Sequence, residues 1–173
     1  MKFLSERNLE MHKEYLNDLM LKYRIFEKSY PELSGADIDG ICKSKIRKDE
    51  KDAAVKLFSE ILAHKIYFSS FDGRNSPCER IKHEYVSVGS FLYDLKEKCN
   101  ECKAGFLLIY EDRGRILYYC GADYEEILRY KKVILALDLC EHAYFYDYGF
   151  KKKDYIINAI SYFDLCKIEK SCN

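Results

Sequence analysis

The chain has 173 residues, of which 48% are hydrophobic and 34% are charged, and its formal net charge is zero. This composition is typical of a globular protein and gives no electrostatic reason to expect a nucleic-acid or membrane partner. No apolar run approaches the roughly 20 residues that span a bilayer. The first residues, MKFLSERNLEMH, lead directly into a helical pattern without the features of a secretory or transit segment, so we expect a cytoplasmic protein.

The apolar periodicity of the N-terminal half predicts two long helices, at about 5–26 and 51–71, separated by a loop or a weak helix at 31–48. Ser5 is a suitable N-cap for the first helix. The segment 72–77 is rich in turn-forming residues, and we place a domain boundary there. The predicted domains are therefore an N-terminal helical hairpin, 1–74, and a C-terminal α/β domain, 75–173.

The C-terminal half is predicted to combine strands with helices. Three β-rich runs predict strands, at Phe106–Tyr110, Ile116–Cys120 and Val133–Leu137. Helical periodicity is found at 89–98, 140–147 and 152–167. The segment Glu111–Gly114, which lies between the first two strands, predicts a hairpin.

The eight cysteines are expected to be free thiols, because a chain of this length can build a hydrophobic core without disulfides. Cys99 and Cys102 have the spacing of zinc ligands. The sequence has no second C-x-x-C segment to complete a zinc site, so we predict a structural or incidental role for this pair.

Four histidines are present, His12, His64, His83 and His142, and the last lies four residues after Asp138. Taken singly, each is weak evidence, since an acid and an imidazole four residues apart form a common helix contact. Imidazole and carboxylate together suit iron, manganese or zinc. The residues alone therefore indicate a candidate His/Asp metal site and nothing more specific.

Five segments, in the same order along the chain, resemble those of the iron/manganese superoxide dismutases. The family patterns are D-x-W-E-H-A-Y-Y, N-H-x-x-Y/F-W/F, S-x-x-T-Φ-x-Y-H (Φ apolar), FGSF…FK and GSGWxWL. The corresponding segments here are Asp138–Tyr148 (DLCEHAYFYDY), Ala63–Ser70 (AHKIYFSS), Ser5–His12 (SERNLEMH), Val88–Lys96 and Gly105–Leu108. The resemblance extends over nearly the whole chain.

The resemblance implies an α+β fold, in which an N-terminal long-helix hairpin packs on a C-terminal domain with a three-stranded antiparallel sheet flanked by helices. It implies that His12, His64, Asp138 and His142 bind one iron or manganese ion per subunit. The implied activity converts superoxide to O2 and hydrogen peroxide while the metal cycles between +3 and +2. His83 matches no ligand position, and we expect it at the surface.

Several residues near the implied ligands depart from the family pattern. Counted without a gap from His12, the family's gateway tyrosine becomes Met20, whereas a register with a short deletion places Tyr15 there. Glu60 replaces a glutamine of the iron type, four residues before His64. Glu60 could donate to the solvent ligand only if it is protonated, as burial would favour. The alternative is a solvated surface glutamate.

The implied catalytic set also includes Tyr144, from the D-x-W-E-H-A-Y-Y segment, and Lys152. Lys152 lies near a family arginine at the substrate entrance, although three successive lysines at a helix start are often merely solvated. Cys140 replaces the tryptophan of the signature. It is either a redox-sensitive thiol near the metal or a small buried hydrophobic residue.

The resemblance also implies a homodimer. Glu141 matches a family glutamate that reaches across the dimer to the partner's ligand histidine. Leu16 and Phe145 occupy positions at which the family pairs a histidine with a tyrosine across the interface. Both are apolar here, so neither leaves a buried polar group unpaired. We therefore expect all three residues at the interface.

Three functions remain open at this stage. An active superoxide dismutase is favoured by the retention of all four implied ligands. A catalytically impaired protein of the same fold, with a binding or assembly role, is favoured by the missing tryptophans and the uncertain gateway residue. A different metalloenzyme at the same site is the third, because a fold does not fix the chemistry.

Overall fold

A computed structural model describes residues 3–71 and 79–170 of the chain. Within these ranges, three strands form one sheet: β1 (Phe106–Asp112), β2 (Arg115–Gly121) and β3 (Lys132–Asp138). The nine α-helices of the same ranges are α1 (Glu6–Ser29), α2 (Ile38–Lys43), α3 (Lys48–Ser69), α4 (Glu79–Glu84), α5 (Val88–Glu101), α6 (Glu125–Tyr130), α7 (Glu141–Tyr148), α8 (Lys152–Ser161) and α9 (Cys166–Lys170).

The two long helices, α1 and α3, form the predicted N-terminal hairpin. Ser5 caps α1, since its side chain accepts a hydrogen bond from the backbone N–H of Asn8. The predicted loop or weak helix contains a 3₁₀ turn at Pro31–Leu33 and the short helix α2. These elements enclose one apolar cluster, made by Leu19, Tyr23, Leu33, Ile41, Ala54 and Ile61.

The sheet has the order β2-β1-β3, and both pairs of strands are antiparallel. The central strand β1 is buried over its first four residues. The hairpin turn between β1 and β2 places Arg113 and Gly114 at positive φ. β3 ends at Asp138, so the strand carries this residue to the end of the sheet where α7 begins. The α+β fold and the three predicted strands are confirmed.

Gly105, at the start of β1, makes the closest backbone approach of the sheet. Its φ is +96°, and a Cβ atom there would lie 2.0 Å from the carbonyl oxygen of Gly121. Its own carbonyl accepts a hydrogen bond from the N–H of Leu139 at 2.9 Å. Glycine at this position therefore allows β2 and the segment after β3 to converge on β1.

The structure differs from the predicted elements in the C-terminal half. The short helices α4 and α6 were not predicted. The helix expected at 152–167 is two helices, because the backbone N–H of Asp164 donates to the carbonyl of Ser70 and Phe163 forms a bridge with Phe71. The predicted domain boundary at 74/75 lies outside the described residues, so the division into 1–74 and 75–173 stays a prediction.

The main hydrophobic core lies around the sheet, with α3, α5, α7 and α8 packed on it. α3 contributes Ala63 and Tyr67 to this core and Ile61 to the N-terminal cluster. This helix therefore joins the two apolar clusters and fixes the hairpin against the sheet. None of the described helices has the length and apolar character needed to cross a membrane.

Candidate metal centre

Four side chains from four different elements meet between the helical hairpin and the sheet. His12 comes from α1, His64 from α3, Asp138 from the end of β3 and His142 from the first turn of α7. One ligand atom of each lies within 4.8 Å of the others. The side chains of His12, His64 and Asp138 are fully buried, whereas that of His142 is 30% exposed.

The donor atoms of this cluster converge on one point. Oδ2 of Asp138 lies 2.8 Å from Nε2 of His142, 3.2 Å from that of His12 and 3.3 Å from that of His64. Neither Nε2 of His12 nor Oδ2 of Asp138 makes a hydrogen bond with acceptable geometry, although both are buried. A buried polar atom without a partner costs about 1–3 kcal/mol. A cation at the centre would satisfy these atoms, and three imidazoles with one carboxylate suit iron, manganese or zinc.

The protonation states of Asp138 and His12 suit metal binding, whereas in His64 the lowering effect of burial is outweighed by Asp138, so the pKa of His64 is raised. Burial raises the pKa of Asp138, but the three imidazoles beside it outweigh burial and hold that pKa well below its usual range. Burial lowers the pKa of His12 in spite of the nearby carboxylate. An ionised carboxylate and a neutral imidazole are the forms that bind metal ions.

Hydrogen bonds from the surrounding backbone orient two of the four side chains. Nδ1 of His64 lies 2.8 Å from the carbonyl oxygen of Glu60, which can only accept, so Nδ1 carries the proton and Nε2 presents its lone pair to the centre. The N–H of Cys140 donates to Oδ1 of Asp138 at 2.8 Å, and the Tyr155 hydroxyl donates to the Asp138 carbonyl at 2.8 Å. These contacts leave Oδ2 directed at the imidazoles.

Tyr15 lies against the cluster, and Met20 does not. The Tyr15 ring stacks on His142 at 4.2 Å between centroids, and its hydroxyl donates to Oε1 of Glu60 at 2.6 Å. Burial, and then the contact with Glu60, raise the pKa of Tyr15, which keeps the hydroxyl protonated. Met20 packs in the N-terminal cluster. Tyr15, rather than Met20, therefore contacts the clustered histidines, and which of the two takes the gateway role stays a prediction.

The other predicted catalytic residues have defined surroundings. Glu60 faces the site through Tyr15 rather than pointing into solvent. The Lys152 ammonium donates to the carbonyls of Cys102 and Lys103, each at 3.0 Å. Tyr144 is buried, and its ring stacks on Tyr155 at 4.8 Å. Tyr144 thus reaches the cluster through Tyr155, and a catalytic role for it stays a prediction.

Two of the three predicted interface residues, Glu141 and Phe145, lie beside the exposed edge of His142. Glu141, Phe145 and His142 line a hollow of about 310 Å³ together with Met11 and Tyr146. Phe145 is 44% exposed. Leu16 packs partly buried against the N-terminal cluster. His83 is exposed on α4, as predicted.

Sequence reasoning missed two residues that shape the centre. Tyr124 packs edge-on against Phe106, whose ring in turn contacts His64 at 5.1 Å. Asn8 donates from its buried amide to the carbonyl of Ala143 at 2.7 Å and ties α1 to α7. Asn8 lies one turn before His12 on the same helix face, and that spacing is a signal that could have identified it.

Residues 75–171, more than half of the chain, match the family model of the C-terminal domain of iron/manganese superoxide dismutases. The chain belongs to this family. It is also 27% identical over 163 residues to a superoxide dismutase [Mn/Fe] of Rickettsia typhi. The alignment covers 87% of this chain and 76% of that relative. Asp138 and His142 lie within the range that matches the family model, and His12 and His64 lie before it. The resemblance expected from the sequence is confirmed.

Proposed function

We propose that the chain dismutates superoxide at an iron or manganese ion held by His12, His64, Asp138 and His142. The observation that carries the proposal is the buried convergence of three imidazoles and one carboxylate in a member of this family. In the overall reaction, two superoxide ions and two protons give O2 and hydrogen peroxide.

When bound, the metal supplies the one-electron chemistry by alternating between the +3 and +2 states. The chain's own residues would hold the ion and control the proton at the edge of the site. Asp138 would supply the one negative charge of the ligand set. The Tyr15 hydroxyl is the proton-bearing group that the chain holds over two ligand imidazoles, and Glu60 fixes its position.

We further propose a homodimer formed through the surface around His142. Glu141, Phe145 and the hollow beside them provide an apolar patch with an acidic residue at its edge. Leu16 would add to this surface from α1. A partner seated there would cover the exposed edge of His142.

Metal content and superoxide consumption, measured on the same preparations, test the proposed activity. The wild type is expected to bind one iron or manganese ion per chain and to consume superoxide. His64→Ala removes a buried ligand atom and is expected to lose both properties. His83→Ala is the matched control, because His83 is an exposed histidine outside the cluster.

The outcome also separates the other functions. A wild-type chain that binds metal without consuming superoxide would contradict dismutation and favour a different metalloenzyme. A chain that binds no metal under loading conditions would favour a binding or assembly role. Equal loss in the His83→Ala variant would show that the assay reports folding rather than the site.

A further inference from the structure

Three thiols meet where the end of α5 packs against β2, away from the four-residue cluster. Phe91, Leu95 and Cys99, spaced four residues apart, form the buried stripe of α5. Ile116 and Cys120 lie four residues apart on β2 and so point to the same face of the sheet. Ile116 is buried and Cys120 packs at the edge of the same core. The geometry places Cys99 and Cys120 on facing surfaces.

The thiol of Cys120 lies near two other thiols. Cys99 and Cys102 both lie close enough to Cys120 to affect the pKa of its thiol. Cys102 ends α5, where its N–H donates to the carbonyl of Cys99 at 3.2 Å and its thiol donates to the carbonyl of Ala104 at 3.2 Å. Cys120 is therefore the common partner of the other two.

This arrangement suits a disulfide better than a metal cage. Among the described residues, the His/Asp cluster is the one group of three or more metal-binding side chains in which all donor atoms are mutually close. The described cysteines, including these three, are free thiols. Two neighbouring thiols on facing surfaces can form a bond between themselves without a third ligand.

We propose that Cys120 and Cys99 form a disulfide when the chain meets hydrogen peroxide, while Cys102 stays reduced. Cys120 is partly exposed and can react with the oxidant. Cys99 is fully buried, and its thiol would attack the oxidised Cys120 sulfur from the side of the core. The Lys152 ammonium, held at this end of α5 by the carbonyls of Cys102 and Lys103, adds positive charge beside the thiols.

The reaction balances in two steps. The Cys120 sulfur attacks one oxygen of the peroxide, so an S–O bond forms, the O–O bond breaks and the first water leaves. The Cys99 sulfur then attacks the Cys120 sulfur, the S–S bond forms, and the S–OH group leaves with the Cys99 proton as a second water. Two thiols are oxidised by two electrons, and one peroxide is reduced to two waters.

The same neighbours set the expected rate. The neighbouring Cys99 thiol, followed by burial, raises the pKa of Cys120, and burial followed by the neighbouring Cys120 thiol raises the pKa of Cys102 to about 12. Because the thiolate is the nucleophile, oxidation should be slow at neutral pH and faster at alkaline pH. This pH dependence distinguishes the pair from a peroxidase-type cysteine with a lowered pKa.

Peptide mapping of the peroxide-treated chain tests the proposal. After the remaining thiols are blocked, trypsin should release residues 99–103 (CNECK) joined to 116–129 (ILYYCGADYEEILR), with a mass two hydrogens below the sum of the two peptides plus one blocking group on Cys102. Since 99–103 contains both candidate partners, variants must assign the bond. Cys102→Ser should keep the cross-link, and Cys99→Ser and Cys120→Ser should lose it. Cys42→Ser is the control for a thiol on α2.

The wild type and Cys102→Ser keep the test informative if the buried Cys99→Ser variant fails to fold. A cross-link lost in Cys102→Ser, or a disulfide confined to residues 99–103, would overturn the pairing. Absence of any cross-link to 116–129 in the folded wild type would overturn the site. Peroxide is the product of the proposed dismutation, but here it is added, so a chain without that activity still gives a clear result.

Discussion

At the scale of single residues, the pair Tyr15 and Glu60 is the most distinctive part of the centre. The carboxylate accepts the Tyr15 hydroxyl at 2.6 Å, while the backbone carbonyl of the same glutamate holds His64. One residue thus orients both the His64 imidazole and the tyrosine over it. A typical side-chain hydrogen bond contributes about 0.5–1.5 kcal/mol, which helps to keep the ring in one place.

Tyr15→Phe is expected to reduce superoxide consumption about tenfold and to leave the metal content unchanged. The ring would still stack on His142, but the proton-bearing hydroxyl would be lost, and about 1.4 kcal/mol corresponds to tenfold in rate. Tyr23→Phe is the matched control on the same helix, because the buried Tyr23 hydroxyl has no hydrogen-bond partner. Activity equal to that of the wild type in Tyr15→Phe would show that Tyr15 acts only by packing.

At the scale of helices and strands, long patterns were predictable and short ones were not. α1, α3 and the three strands follow from apolar periodicity, since each buries a continuous stripe or face. α4 and α6 have six residues each, too few for periodicity to identify them. The four clustered residues were found through ordered resemblance, whereas Tyr15 could not be preferred to Met20 by counting. The contact of Tyr15 with His64 and His142 depends on how α1 packs on the cluster, which counting along the chain cannot show.

Gly105→Ala is expected to lower the free energy of unfolding by about 3 kcal/mol, measured by urea denaturation. The added methyl group would lie 2.0 Å from a backbone oxygen that cannot move without displacing β2. Gly114→Ala is the control, because it has a similar positive φ but open space around it. Its expected cost is about 1 kcal/mol from backbone strain alone. Equal losses would mean that the close approach of Gly121 relaxes freely.

At the scale of the whole molecule, α1, α3, β3 and α7 are held together by contacts on either side of the candidate centre. Ser5 donates to Asp147 at both its N–H and its hydroxyl, and Tyr148 donates to the carbonyl of Phe3. The start of α1 is thereby fixed on α7. The opposite edge of α7 presents Phe145 and Tyr146 outward, which is the surface proposed for the second subunit.

Phe145→Lys is expected to convert a dimer into a monomer, measured by sedimentation velocity. The substitution places a charge in the apolar part of the proposed interface, where it would be desolvated without a partner. Tyr93→Lys is the control, since Tyr93 is an exposed aromatic residue on α5. A wild type that sediments as a monomer at all concentrations would contradict the homodimer.

The uneven burial of the four clustered side chains has a kinetic consequence. Three of them are sealed, and His142 alone of the four opens onto the hollow at the outer face of α7. An ion held by the four would therefore enter and leave past His142, because the other three side chains are fully buried. If a second subunit covers that hollow, a chelator should remove the ion slowly from concentrated protein, in which dimers predominate. Removal should be fast from dilute protein, in which the dimers dissociate. Metal retention would then depend on how much of the chain the cell makes.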